Sequence, residues 1–211
     1  MWERLTERLA EVGLAVDPAA ADALARFLGE IRRWNRVHNL TAITDPEAML
    51  RRHVIESLAL RPLLEGNRVA DVGSGAGIPG IPLAIVEPDR HFTLIESRGK
   101  RAAFLKHVQG LLGLVNVDVL HGRVEAMNNA ATFDTLLARA VAPLAELLRL
   151  TEHLFGPESV MLVPTGEPAA GEPLEGDRRF EMEDRFEIRR ADEAGTELIA
   201  GSLLIVSRKR G

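Results

Sequence analysis

The 211-residue chain has no cysteine and no tyrosine, and its aromatic side chains are two Trp and seven Phe. Without cysteine there is no disulfide, no thiolate metal site and no thiol nucleophile. That excludes the enzymes that attack a pyrimidine ring covalently through sulfur. Without tyrosine no phenol is available as acid or base. Long apolar runs are lacking as well: runs such as residues 160–164 and 203–206 fall far short of the ~20 residues a membrane span needs. Met1-Trp2-Glu3-Arg4-Leu5-Thr6-Glu7 is mixed in charge and has no apolar secretory core, so a cytoplasmic location is expected, with no membrane partner. Nor is there an excess of basic charge. The formal net charge of −5 argues against non-specific binding to nucleic acid. Its distribution softens that argument. Residues 167–197 hold eleven acidic and five basic side chains, the end carries Arg208-Lys209-Arg210, and residues 1–166 are nearly balanced with local basic clusters.

The rest of the composition, 46% hydrophobic and 27% charged, is that of a globular protein. The length fits one sizeable core with at most a small appendage. Residues 2–14 read as a short amphipathic helix with Leu5, Leu9 and Val12 on one face. Asp17-Pro18 is a helix start, with Asp as N-cap and Pro at the first helical position. Leu24, Phe27, Leu28, Ile31 and Trp34 follow at helical spacing. Asp45-Pro46-Glu47 repeats the start signal, and Met49, Leu50, His53, Val54, Ser57 and Leu58 form the next apolar face. From Arg68 the pattern changes. Strands are expected at 68–71, 92–95, 117–120, 135–138, 160–163, 186–189 and 203–206, with helices at 100–112 and 144–154. Alternating strands and helices predict an α/β fold with a parallel sheet. The last two strands lack a helix between them and predict an antiparallel hairpin at its end. Residues 164–176 hold three prolines and three glycines and read as a mobile loop.

Residues 69–80, Val-Ala-Asp-Val-Gly-Ser-Gly-Ala-Gly-Ile-Pro-Gly, follow a strand and lead into a helix. Glycines at 73, 75 and 77, preceded by Asp71, remove side chains where a ligand approaches the backbone, at the carboxyl edge of the sheet. A dinucleotide site wants G-x-G-x-x-G, and the position three after Gly75 is Ile78. The observed G-x-G-x-G after an acid is the pattern of S-adenosylmethionine-dependent methyltransferases. Glu96 ends the next strand, 23 residues after Gly73, where a carboxylate accepts hydrogen bonds from both ribose hydroxyls of an adenosine. NAD and S-adenosylmethionine both carry that ribose, so Glu96 does not separate them.

Together with these motifs, Trp34-Asn35, Asn39-Leu40-Thr41, Asp45-Pro46, Arg52-His53, Ser57, Gly99-Lys100-Arg101, Arg123-Val124-Glu125 and Arg139-Ala140 resemble the glucose-inhibited division protein B family, the bacterial 16S ribosomal RNA guanine-N7 methyltransferases. The likeness is strong over residues 30–166. It implies a Rossmann-like methyltransferase sheet (residues 63–211) with an N-terminal helical extension (1–62) packed on it as one structural unit. It implies S-adenosylmethionine contacts at Gly73, Ile78, Glu96, Val124, Glu125 and Arg139, beside Asp71, Gly75 and Gly77 of the glycine turn. The implied reaction is methyl transfer to N7 of a guanine of 16S RNA in the 30S subunit. Three departures stand out: Glu96 and Glu56 replace aspartates usual in the family, and Val163-Pro164-Thr165-Gly166 stands where it usually reads Leu-Lys-Gly. The missing lysine leaves either a weaker RNA contact or substitution by another base such as Arg101.

Guanine N7 carries a lone pair at neutral pH, so methylation needs no general base, and alignment carries the catalysis. Positive charge moves from sulfur toward the purine, which favours nearby carboxylates or carbonyls. Phosphate-binding candidates are Arg51, Arg52, His53, Arg98, Lys100, Arg101 and Arg123, with Arg139 as a positioning residue. Arg98, Lys100 and Arg101 open a helix, where cations oppose the macrodipole, which favours a phosphate role. His53 lies among Met49, Leu50 and Val54, where a packed histidine and an RNA-facing one both fit. Trp34 reads as an anchor of the extension, with stacking on a base as the alternative. No metal is expected, and no self-association signal is present, so a monomer is expected. The competing readings are a methyltransferase of a small molecule or protein, a non-catalytic S-adenosylmethionine-binding protein and an NAD-dependent oxidoreductase.

Overall fold

A computed structural model describes residues 5–127, 132–139 and 141–165, together with the strand segments 180–187, 190–191, 197–199 and 202–208. Asp17 is extended (φ −68°, ψ 158°), and its side chain accepts a hydrogen bond from the Ala20 amide at 2.9 Å. Pro18, with no amide hydrogen to lose, opens the long helix α2 (Pro18–His38), which follows the short α1 (Leu5–Glu11). Asn39 ends α2 in the left-handed conformation, φ 47°. The α2 face made of Leu24, Phe27, Leu28 and Ile31 is fully buried, each side chain contributing about 1.5–3 kcal/mol by leaving water. Trp34 continues this face and meets the Phe104 ring edge-on, with centroids 5.4 Å apart. It anchors the extension, and its ring packs between His38 and His107.

Asp45 caps the Ala48 amide at 2.8 Å and starts α3 (Pro46–Met49). The sequence pattern predicts an ordinary helix onward. Instead residues Leu50–Ile55 form a π-helical turn before α4 (Glu56–Leu58). The Glu56 amide reaches back to the Arg51 carbonyl, and the Arg52 carbonyl accepts a hydrogen bond from Arg139 at 2.8 Å. A partner outside the helix thus takes a carbonyl that an α-helix would use itself, which explains the wider turn.

Five parallel strands form the body of the sheet: β1 (Arg68–Val72), β2 (His91–Glu96), β3 (Val117–His121), β4 (Phe133–Ala138) and β5 (Phe155–Thr165). Helices α5 (Gly80–Val86), α6 (Gly99–Leu112) and α7 (Leu144–Thr151) connect them. Strands β6 (Phe180–Glu187) and β9 (Ser202–Arg208) extend the sheet in the order β3-β2-β1-β4-β5-β9-β6, and β7 (Arg190–Ala191) pairs separately with β8 (Glu197–Ile199). β9 is antiparallel to both neighbours. The expected terminal antiparallel pair is therefore present, while the β7–β8 ribbon is an addition to the expectation. The sixth strand, expected at 186–189, runs over 180–187, and 188–189 lie outside the described residues.

Pro164, expected to open a loop, belongs to β5. It lies past Leu162, the last β5 residue paired with β4, so its missing amide hydrogen breaks no bond on that side. The loop expectation for 166–176 falls outside the described residues.

The two sheet faces bury different helices. Val69, Phe92, Leu94, Leu137 and Leu162 share a core with α1 to α6, and Ala70, Val72, Ile95, Leu136 and Met161 pack under α7. The period-2 alternation of each strand thus sends successive side chains into separate cores. The N-terminal helices continue the first core without a break. Among the described residues, no helix is long and apolar enough to cross a membrane.

Candidate active site

β1 has β2 on one side and β4 on the other, which places the topological switch of the sheet at its carboxyl end. Ligands of open α/β sheets bind in the crevice there. A cavity of about 470 Å³ opens at this point. Its wall is made by Gly73, Ser74, Gly75, Ala76 and Ile78 from the glycine turn, by Glu96, Ser97, Arg98 and Arg101 after β2, and by Arg139 and Val141 after β4. The helical extension closes it with Leu40, Thr41, Ile43 and His53.

Glu96 is 3% exposed. One carboxylate oxygen accepts from the Gly75 amide at 2.9 Å, and the other accepts from the Arg98 amide at 2.7 Å. The residue therefore fastens the glycine turn to the start of α6. Each oxygen retains a second lone pair. Gly73 has φ +68°, and a Cβ there would meet the Val141 Cγ2 at 2.8 Å. Glycine at this position keeps the cavity open and suits a ligand that lies against the backbone.

Asp71 and Gly77, expected at the ligand, are not among the residues that line the cavity. Asp71 is 1% exposed and accepts a hydrogen bond from the Gly80 amide at 3.1 Å. Burial pushes its carboxyl up to about 7, assisted by the Glu96 charge and opposed by the Gly80 amide, the Ser74 hydroxyl and Arg139. A side chain at Gly77 would run into Ile81 and Leu105. Sequence reasoning passed over Gly80. A Cβ there would lie 2.5 Å from Leu94 and 2.6 Å from Asp71, so Asp71 and Gly80 form one fitted pair; the only signal in the sequence was that glycine itself.

On the other wall, Asn35 clamps Thr41 by two hydrogen bonds of 2.9 Å, one to its amide and one to its carbonyl. The Thr41 hydroxyl then meets His53 Nε2 at 3.3 Å. His53 is buried, and desolvation, followed by the Arg139 charge, lowers its pKa to about 4, against the opposing Arg52 carbonyl. It is neutral at physiological pH. Arg139 donates to the Arg52 carbonyl and, at 3.1 Å, to Glu56, which also pairs with Arg52 at 2.9 Å. Burial depresses the Arg139 pKa from its ordinary value while Glu56 supports the charge. Burial raises the Glu56 carboxyl, and Arg139 and Arg52 counter it. Glu56, Asn35 and Thr41 are not marked as site residues by the sequence: Arg139, which draws Glu56 to the site, lies 83 residues away, and the Asn35–Thr41–His53 contacts follow no helical or strand spacing.

The remaining expected residues lie outside this cavity. Val124 is buried in the α7 core, and Glu125 is exposed and 3.9 Å from Arg123, itself 80% exposed. Arg51 and Lys100 are exposed, and Arg52 is held by Glu56. At the position of the missing lysine, Val163 is buried and Pro164 half-buried, while Arg101 reaches the cavity. Ala140 and Gly166 are outside the described residues, and among those described no group of His, Asp and Glu side chains is placed to hold a metal.

This fold, with a glycine-turn crevice at its switch point, is of the Rossmann-like class that methyltransferases and dinucleotide enzymes share. A putative O-methyltransferase from Klebsiella pneumoniae has the same architecture, with a TM-score of 0.62 at 15% identity over 99% of this chain and 98% of that one. Residues 20–194 match the family described as rRNA small subunit methyltransferase G. The ribosomal RNA small subunit methyltransferase G of Nitrosospira multiformis is 46% identical over 151 residues, covering 72% of this chain and 70% of that protein. The protein of that name from Salmonella agona is 36% identical over 206 residues, covering 98% and 97%. The chain belongs to the rRNA small subunit methyltransferase G family, the family its motifs resemble.

Proposed function

We propose that the chain transfers a methyl group from S-adenosylmethionine to N7 of a guanine in 16S ribosomal RNA, acting as a cytoplasmic monomer on the 30S subunit. The observation that carries this reading is Glu96. It is a buried carboxylate at the end of β2, beside an open glycine turn, in a cavity whose far wall is the family-specific helical extension. The cofactor fits the donor set: Glu96 keeps lone pairs for ribose hydroxyls, and Gly73 and Gly75 leave backbone uncovered. When bound, S-adenosylmethionine supplies an electrophilic methyl on a sulfonium. Gly73, Gly75, Ile78 and Glu96 would hold it.

The chain's own residues then orient the base. N7 needs no proton removed, and the neutral His53 adds no cation where positive charge develops. Arg139 is a positioning residue: it ties the end of β4 to the π-helical turn and fixes the extension against the cavity. Arg98 and Arg101 stand at the cavity mouth and suit phosphate, with the more exposed Arg51, Lys100 and Arg123 as outer contacts and Arg52 behind His53. Residues 1–62 are an extension of the 63–211 domain within one structural unit.

Incubation of 30S subunits from cells lacking this protein with methyl-labelled S-adenosylmethionine tests the reading. Label in 16S RNA is expected. Label confined to ribosomal protein would support a protein methyltransferase instead, and tight cofactor binding without any transfer would support a binding protein.

A further inference from the structure

A second cavity, about 430 Å³, lies along α2 and shares Ile43 with the first. Arg32, Arg33 and Arg36 line it, together with Gly29, Asn35 and Thr44. All three arginines are exposed.

Among the described residues, Glu30, Asp45 and Glu47 have other partners. Glu30 approaches Arg33 only at 3.5 Å while its other oxygen holds His107 at 2.8 Å. Asp45 caps α3, and Glu47 pairs with Arg8. The helix macrodipole favours cations near the end of α2, but it explains neither the cavity nor Gly29. In mid-helix a glycine costs about 1 kcal/mol relative to alanine. A Cβ at Gly29 would meet nothing within 4 Å, so internal packing does not require the glycine. Its effect is to leave the floor of the cavity bare beside Arg33, one turn away.

We propose that this groove holds the phosphodiester backbone of the ribosomal RNA flanking the target guanine. The inference rests on the reading of the Glu96 cavity as the methylation site. Arginine guanidinium groups suit phosphate because their planar donors pair with two oxygens at once. The Leu40–Thr44 stretch, pinned by Asn35 to α2, separates the two cavities. A strand whose base enters the first cavity then runs its backbone over Ile43 into the second. The net negative charge of the whole chain does not oppose this, because the groove's field is local at physiological salt.

The double variant Arg33→Gln, Arg36→Gln tests it against a charge-matched control, Lys106→Gln, Arg149→Gln, whose residues are exposed and line neither cavity. Binding to undermethylated 30S subunits is measured as a function of salt, alongside calorimetry with S-adenosylmethionine and methyl transfer. The groove variant is expected to bind subunits about tenfold more weakly, with a log–log salt slope shallower by about 1–2, the amount two phosphate contacts supply. Its cofactor affinity should match that of the control. Equal subunit affinity and slope in groove variant and control would overturn the proposal even if the wild type methylates RNA. A weakened groove variant beside a wild type that binds subunits without methylating them would uphold the groove and overturn the methyltransferase reading. A wild type that does not bind subunits would overturn both.

Discussion

Gly73 and Asp71 show how two neighbours in one motif take different work. Gly73 faces the cavity, so Gly73→Asp places a Cβ against Val141 in a left-handed backbone. Calorimetry should show S-adenosylmethionine affinity reduced by about two orders of magnitude or more, about 2.8 kcal/mol; unchanged affinity would mean the cofactor lies elsewhere. Asp71 is the anchor under the turn, and its raised pKa makes it a stability sensor. Between its ordinary value of 3.8 and about 7, the folded chain keeps a proton that the unfolded chain has lost. The contribution of Asp71 to stability therefore falls as pH rises through that window and levels off above it. His53, lowered from 6.5 to about 4, acts oppositely: stability falls as pH drops from 6.5 toward 4. Asp71→Asn keeps an acceptor for the Gly80 amide and leaves the His53 effect alone. Thermal melts should show the variant's Tm rising relative to wild type from pH 4.5 to 7, and a pH-independent difference would contradict the account. The sequence motif marked Asp71 and Gly77 as important without showing that they stand off the cavity wall, because spacing along a turn does not reveal which side of it faces inward.

The π-helical turn at Leu50–Ile55 is where the extension meets the sheet. Arg139→Gln removes the charge beside Glu56 and the donor to the Arg52 carbonyl. It should destabilise the fold by about 1–3 kcal/mol and speed amide exchange across residues 50–56. Protection there equal to wild type would show that Arg139 does not hold the turn. The caps at Asp17 and Asp45, the apolar face of α2 and the order of β1 to β5 were legible in the sequence, because local spacing and capping chemistry determine them. The π turn was not, since its cause is a side chain more than eighty residues away. The extent of β5 was missed for a similar reason: Pro164 reads as a loop residue until its place beyond the β4 pairing is known. Clusters such as Asn35–Thr41–His53 and Arg52–Glu56–Arg139 were visible only as separate residues.

The helical extension and the sheet share one continuous core, and the cavity lies where the two meet. The sheet supplies a glycine-turn crevice of the kind that methyltransferases and dinucleotide enzymes share, and the extension supplies the wall of Leu40, Thr41, Ile43 and His53. The missing lysine near Val163 removes one expected cation, while Arg101 remains at the cavity and the arginines of α2 lie beside it. The neutral His53 agrees with a transfer that depends on alignment. The most direct measurement is identification of the labelled nucleoside after reaction of undermethylated 30S subunits with methyl-labelled S-adenosylmethionine and complete digestion of the RNA. The account requires 7-methylguanosine as the labelled product. Label in any other nucleoside, or none with cofactor binding intact, would contradict it.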